Sequence, residues 1–383
     1  MRKLAFVLLF ALLPFIGWAQ QQKKYAPYKA GEVIVKFKDG SGSSRRSINK
    51  SSISAPLKSF GITDAKQLMP LTGAMSSGSR RAVRNNSASS ADLNLSSLYV
   101  LRFDKSQSVE ETVEKLKKLS DIEYAEPNYI VKAIGKALEA SPLPQLAANE
   151  ANGSQPFNDP KYEEQWGLQA INMPALWEKP VINSKRPVIA ILDTGVDINH
   201  PDLAANIWTN TAEKGNDEDN NGFVGDVHGW DFISGDADIS DENNHGTHCA
   251  GIAAAVGNNG EGIVGANPNA LIMPVRVLNE VGEGDVATIV EGIDYAIASG
   301  ADVLSMSYGY MCPYGPSEAE RDALLEASYH AVLVAAAGNC GVCMNSAHQG
   351  LHGNPDAMPI PSFPAAFSFA SYGNLQIYLV NIF

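Results

Sequence analysis

The chain has 383 residues, 45% of them hydrophobic and 19% charged, which is enough for two or three domains and a sizeable core. Its net charge of −13 is uneven: residues 20–140 carry 20 Lys and Arg against 12 Asp and Glu, and residues 141–383 carry 7 against 30. The acidic part argues against a nucleic-acid partner, and a basic part beside it predicts that the two attract each other.

The amino terminus reads as a secretory signal over residues 1–19. Arg2 and Lys3 form a charged start, Leu4 to Ile16 an apolar run, and Gly17-Trp18-Ala19 a cleavage site. The run is too short for a membrane span. The expected product is exported, has no membrane partner once the signal is removed, and is a monomer. Gly31 to Lys38 alternates apolar and polar residues and predicts a strand. Residues 41–56 and 73–97, rich in Ser, Arg and Asn, predict loops. Leu98 to Phe103 predicts a second strand. Ser108 to Leu119 predicts a helix capped by Ser108, with Val109, Val113, Leu116 and Leu119 on one face. Ile122 to Val131 predicts a strand pair or one extended segment. Residues 20–134 therefore read as a small α+β, ferredoxin-like domain with an antiparallel sheet. Residues 135–156 are Ala, Pro, Ser, Asn and Gln with little pattern, and read as an exposed linker open to proteolysis.

From residue 157 strands and helices alternate. Strands are predicted at Pro187–Leu192, Leu271–Leu278, Ala301–Ser307 and Ala331–Ala337, and helices at Asp285–Ser299 and Ser317–Tyr329. This is an α/β pattern, a parallel sheet with helices on both faces. Such sheets bind ligands beyond the carboxyl ends of their strands, and Asp193, His245 and Asn339 fall at strand ends or helix starts. Asp193 ends a strand in Ile-Leu-Asp-Thr-Gly and could accept the Nδ1 proton of His245, leaving Nε2 as a base toward a hydroxyl. Asp-Thr-Gly also occurs in aspartic proteases, but those need a second such carboxylate and none is present. The Asn339 amide is a neutral donor suited to an oxyanion. Asp217-x-Asp219-x-Asn221-Gly222 matches the first half of a calcium loop. His228 stands at the twelfth position, so Asp226 or Asp231 would have to supply the missing carboxylate. Cys249 reads as a buried thiol. A disulfide from Cys312 to Cys340 or to Cys343 fits an oxidising compartment. Cys340 and Cys343 with His348 and His352 also have metal-like spacing, set aside because the segment is an exported, Gly- and Pro-rich loop.

Asp193-Thr-Gly195, His245-Gly-Thr-His-Cys-Ala-Gly251 and Ala335-Ala-Ala-Gly-Asn339, in that order along the chain, resemble the three segments of the subtilisin-like serine endopeptidases. Residues 20–134, closing on Tyr124-Ala-Glu-Pro-Asn128, resemble that family's inhibitory propeptide. The resemblance implies a subtilisin-like catalytic domain over 157–383 and maturation cleavage within 135–156, at a residue the sequence does not name. It implies peptide-bond hydrolysis with Asp193 orienting, His245 as general base and Asn339 at the oxyanion. Ser307-Tyr308-Gly309 resembles the strand that pairs with extended polypeptide substrates, and Ala337 and Gly338 the opposite wall. His200-Pro-Asp202-Leu resembles a segment whose Asp binds structural calcium, with Asp159 and Asn259 as matching partners. The family's Gly-Thr-Ser-Met-Ala nucleophile segment is absent, and Ser346, Ser362, Ser368 and Ser371 lack its flanks. Losing that serine costs on the order of 10⁶ in turnover. The expectation is a chain cut short before its nucleophile, only a partial catalytic domain, and inactive as written. The rival reading is a non-catalytic peptide-binding or protease-inhibitory protein.

Overall fold

The computed structural model describes residues 28–38, 55–74, 95–134, 157–179, 185–309 and 317–336, and the backbone of one further strand at 377–380. The predicted signal, the 135–156 linker, Cys312, Cys340 and Cys343 lie outside these residues. Among the described residues no helix is long and apolar enough to cross a membrane.

The first unit comprises β1 (Tyr28–Phe37), α1 (Ala55–Ser59), β2 (Ile62–Gln67), α2 (Pro70–Ala74), β3 (Leu98–Phe103), α3 (Val109–Leu116) and β4 (Ile122–Ala133). Its antiparallel sheet runs β4-β1-β3-β2, the order of a ferredoxin-like fold. α3 starts where predicted, with the Ser108 hydroxyl accepting from the Glu111 amide. β2 and the two short helices did not announce themselves in the sequence. β2 buries only Ile62 and Ala65, and a register shift between Ile62 and Asp64 breaks its alternation.

β1 shows how this sheet is used. Val33, Val35 and Phe37 pack with Val109, Val113 and Leu116 of α3. Ile34, one residue out of phase, joins a different core that also holds Val290, Ile293 and Leu324 of the second unit. Both faces of the sheet are covered, one by its own helices and one by the next domain.

The second unit opens with α4 (Trp166–Ala170) and α5 (Met173–Trp177). It continues through β5 (Val188–Asp193), β6 (Trp230–Asp231), α6 (His245–Ala254), β7 (Leu271–Arg276), β8 (Glu283–Asp285) and α7 (Val286–Ala298). It ends with β9 (Val303–Met306), β10 (Tyr308–Gly309), α8 (Glu318–Ala327), β11 (Val332–Ala336) and β12 (Ile377–Val380). The sheet is parallel throughout, in the order β12-β11-β9-β5-β7-β6. β5 is buried at every residue and again splits by parity. Val188, Ala190 and Leu192 pack in the core that holds α7 and α8, while Ile189 and Ile191 pack against Cys249, Ala250 and Ala254 of α6. α6 buries Gly246, Cys249, Ala250, Gly251 and Ala254, while His248 and Ile252 are exposed.

Polar contacts join the two units where their charges are opposite. Lys36, itself buried, lies 2.8 Å from the buried Asp322 of α8. Lys29 pairs with Asp285 and Lys66 with Glu291. In β4 the residues Glu126 and Asn128 project on one side, two apart. The Asn128 carbonyl accepts from the Ala287 amide at the start of α7, and its amide donates to Glu32 and Asp285. The Glu126 carboxylate accepts from the Glu318 and Ala319 amides at the start of α8 and from the Ser317 hydroxyl. Each helix thus begins on a side chain of the other unit, which satisfies amides that the helix cannot pair itself.

Glu126 has no cationic partner among these contacts. Burial lifts its pKa from 4.5 to about 7, only partly offset by the bonds from Ser317, Ala319 and Glu318. Burial likewise lifts Asp294, which accepts from the Leu71 and Thr72 amides, to about 6. An acid whose pKa rises on docking stabilises the docked state fully below its free value and loses that contribution as pH climbs through the docked value. Docking is therefore expected to weaken between pH 4.5 and 7, by on the order of 3 kcal/mol for Glu126. Denaturant unfolding followed across that range should show the slope, and Glu126→Gln should flatten it.

Candidate active site

Asp193 stands at the carboxyl end of β5, and its Oδ1 accepts from its neighbour's amide, Thr194 N, at 2.7 Å. His245 is the first residue of α6. The two are 52 positions apart, and His245 Nδ1 lies 2.7 Å from Asp193 Oδ1. They can meet because two backbones come very close. A Cβ on Gly246 would sit 2.1 Å from the Gly195 carbonyl, and a Cβ on Gly195, whose φ is +108°, would meet the Ile239 and Ser240 carbonyls. Asp193 is almost fully buried, and its Oδ2 has no partner among the described residues. Burial disfavours a charged imidazole, yet the bonds to Asp193 and Cys249 and the Asp193 charge outweigh it and raise the His245 pKa. Cys249, one helical turn on, puts its sulfur 3.9 Å from His245 Nδ1. Burial pushes this thiol's pKa up, so it stays protonated, as the sequence suggested.

The other imidazole nitrogen, Nε2, lies 2.9 Å from the carbonyl oxygen of Ile134, the residue just after β4. With Nδ1 on a carboxylate and Nε2 on a carbonyl, both nitrogens donate, which is the imidazolium. The chain reaches this point between two strands of the second unit. β4 pairs antiparallel with β8 (Ile130 with Asp285, Lys132 with Glu283) and with β10 (Tyr308 with Ala133, Gly309 with Lys132). The Ala133 amide donates to the Gly282 carbonyl and the Ile134 amide to the Ser307 carbonyl. Val131 is fully buried between the strands. Ser307, Tyr308 and Gly309 therefore hold an extended backbone whose last carbonyl abuts the His245 ring. Ala337, Gly338 and Asn339 lie outside the described residues; β11, which leads to them, ends at Ala336.

Two clusters of oxygen donors have the composition of a cation site. In the first, Glu213, Asp217 and Asp219 bring carboxylate oxygens within 4.8 Å of one another. Glu213 is 5% exposed, and its Oε2 has no partner among the described residues, while Oε1 accepts from the Glu218 and Asp219 amides. Burial, with the charges of Asp226, Asp219 and Glu218, raises its pKa. A buried acceptor crowded by like charge fits a hard divalent cation. Asp226 faces the same turn, bound by Asn210, Asn221 and Tyr295. Asp231 does not, since it pairs with Arg276, 3.1 Å away. Glu213 lay outside the motif spacing and was missed from sequence.

In the second cluster, Asp202 accepts from the Asn259 side chain at 2.8 Å and from the Ile263 amide at 2.9 Å. Asp159 accepts from the Asn258 amide, and its buried Oδ1 has no partner among the described residues. The three predicted residues thus gather on the loop 256–263. Asn259 turns its amide nitrogen toward Asp202, and its oxygen accepts from the Glu261 amide.

Comparison with known proteins places this architecture. Residues 184–362 match the model of the subtilase family, and residues 82–128 match that of the fervidolysin N-terminal prodomain. The matched segments take in most of the second unit and part of the first. It is 40% identical to thermitase of Thermoactinomyces vulgaris over 185 residues, 48% of this chain and 58% of thermitase. It is 32% identical to a thermophilic serine proteinase of Bacillus sp. strain AK1 over 315 residues, 82% of this chain and 60% of the relative. The crystal structure of fervidolysin from Fervidobacterium pennivorans, a keratinolytic enzyme related to subtilisin, aligns with a TM-score of 0.56 at 24% identity. The alignment covers 82% of this chain and 40% of fervidolysin, a likeness of fold. The chain spans about 60% of the length of the two matched relatives.

The close approach at Gly246 gives a sharp test. Gly246→Ala forces a methyl into the Gly195 carbonyl, so α6 must move away from the end of β5. The expected cost is about 1–3 kcal/mol of unfolding free energy, measured by denaturant titration.

Proposed function

We propose that this chain carries the binding cleft and acid–base pair of a subtilisin-like serine endopeptidase, with its own propeptide seated in the cleft. The observation that carries the reading is the Ile134 carbonyl on His245 Nε2 at the end of a strand held by β8 and β10. An extended polypeptide would lie as β4 does, paired through backbone bonds. In the complete reaction a serine hydroxyl attacks the scissile carbonyl and His245 takes its proton. His245 then gives that proton to the departing amine, and water, deprotonated by the same ring, releases the acyl group. Asp193 holds the ring's tautomer and offsets its charge. Asn339 would donate to the oxyanion, with Ala337 and Gly338 along the facing wall. The register proposes Ile134–Gly135 as the maturation bond, at the head of the 135–156 linker. The amino-terminal segment 1–19 would direct export.

No Gly-Thr-Ser-Met-Ala segment stands in these 383 residues, so the polypeptide as written is expected to bind and not to cut. The purified chain should release no product from casein, and hydrolysis abolished by His245→Ala would contradict this. Appending the nucleophile-bearing segment of thermitase in frame should yield a mature form beginning at Gly135 by mass spectrometry. Processing at any other bond would overturn the proposed register.

A second reading, a protease-inhibitory or peptide-binding protein, is favoured by the same seated strand. Under it, residues 20–134 should inhibit secreted subtilases at micromolar concentration.

Structural calcium is proposed at Glu213, Asp217 and Asp219 with Asp226 and Asn221 alongside, and at Asp159, Asp202 and Asn259. A bound cation would neutralise carboxylates that otherwise repel. Calcium is expected to raise the Tm of the chain, and Glu213→Gln should reduce that rise in calorimetry with and without a chelator.

A further inference from the structure

The segment before α6 contains a carboxylate that the proposed reaction does not use. Asp241 lies four residues before His245 and accepts five hydrogen bonds, all from neutral donors. Its Oδ1 takes the Thr194 hydroxyl at 2.8 Å and the Asn243 and Asn244 amides at 3.0 and 2.9 Å. Its Oδ2 takes the Thr247 amide at 2.8 Å and the Thr247 hydroxyl at 2.7 Å. Burial opposes its charge, yet the bonds from Thr247, Thr194 and Asn243 hold its carboxyl below the usual range. The donors come from both sides of the Asp193–His245 pair. Thr194 is the residue after Asp193, and its hydroxyl in turn accepts from the Gly246 amide at 3.0 Å, beside His245. Thr247 accepts from the Asp197 amide at 3.0 Å. Asn244, which caps α6, has φ +75° and makes no cap bond with its own side chain, so the first turn of α6 takes its acceptors from Asp241 and Thr194.

We infer that Asp241 is a positioning residue: through Thr194 on one side and Thr247 on the other, it clamps the end of β5 to the first turn of α6 and so sets the Asp193–His245 bond. The inference rests on the reading of that pair as orienting acid and base. Geometry at such a pair has to be held within a fraction of an ångström, and the pair spans two segments far apart in sequence. A cap that served α6 alone would not need the Thr194 hydroxyl.

The test uses the 383-residue chain and proton NMR of the His245 Nδ1–H, whose short bond to a carboxylate shifts it far downfield. His245→Gln assigns the resonance by removing it. Asp241→Asn and the near-isosteric Thr194→Val are expected to abolish the resonance while circular dichroism stays that of the folded chain. Thr194→Ser, which keeps the hydroxyl, should retain it. A resonance unchanged in folded Asp241→Asn or Thr194→Val overturns the inference, as does loss of the fold in both, which would make the carboxylate a stability group alone. Absence of the resonance in the parent chain would sink the Asp193–His245 pair itself, and the clamp with it. Its presence there together with retention in the variants would sink only the clamp.

Discussion

One strand, Ile122–Ala133, belongs to two sheets at once, and the rest of the molecule is arranged around that double membership. Its first part, Ile122 to Tyr129, pairs with β1 and completes the four-stranded sheet of the first unit. Its last residues pair with β8 and β10 of the second. A strand has hydrogen-bonding groups on both edges and side chains on both faces, so it can serve two partners only if both faces and both edges are occupied. The first unit's sheet is therefore buried on its far side, and Val131 is buried although it lies at a domain boundary.

The same strand explains why the junction is polar without being weak. Apolar contact alone would let the two units slide. Glu126 and Asn128 resist sliding, because each is fitted to one helix start and Asn128 also donates to Glu32 and Asp285. The lysines at positions 29, 36 and 66 add attraction between a basic unit and an acidic one, though Lys29 and Lys66 are half exposed and contribute little each. Lys36 differs, since both it and Asp322 are buried, and each has a further ionic partner, Glu123 at 3.4 Å and Arg321 at 2.7 Å.

Much of this could be read before any coordinates. β3, β5, β9, β11, α7 and α8 lie within a residue or two of where periodicity and caps put them, and α3 starts at its predicted cap but ends three residues early, because each carries its burial pattern in its own residues. Asp193 and His245 could be read because each sits in a short segment where strand or helix meets a turn. β2 could not, since its two buried residues are three apart on a bulged strand. Glu213 and Asp241 could not either. Their roles come from oxygens that face groups brought in by other segments, and one Asp or Glu among 42 acidic residues carries no such mark in the sequence. Asp231 and Asp226 were equal candidates for the calcium turn until Arg276 claimed the first.

The borrowed helix starts have a bearing on chain assembly. Glu126 and Asn128 precede both helices in the chain, so the acceptors for the Ala287, Glu318 and Ala319 amides emerge first during synthesis. A folding α7 or α8 finds its first turn already templated by a segment made earlier. When β4 departs, solvent has to take over at those three amides, and the two helices then keep their lateral packing and their own caps, Asp285 and Ser317, but surrender the bonds that tied their first turns to the first unit.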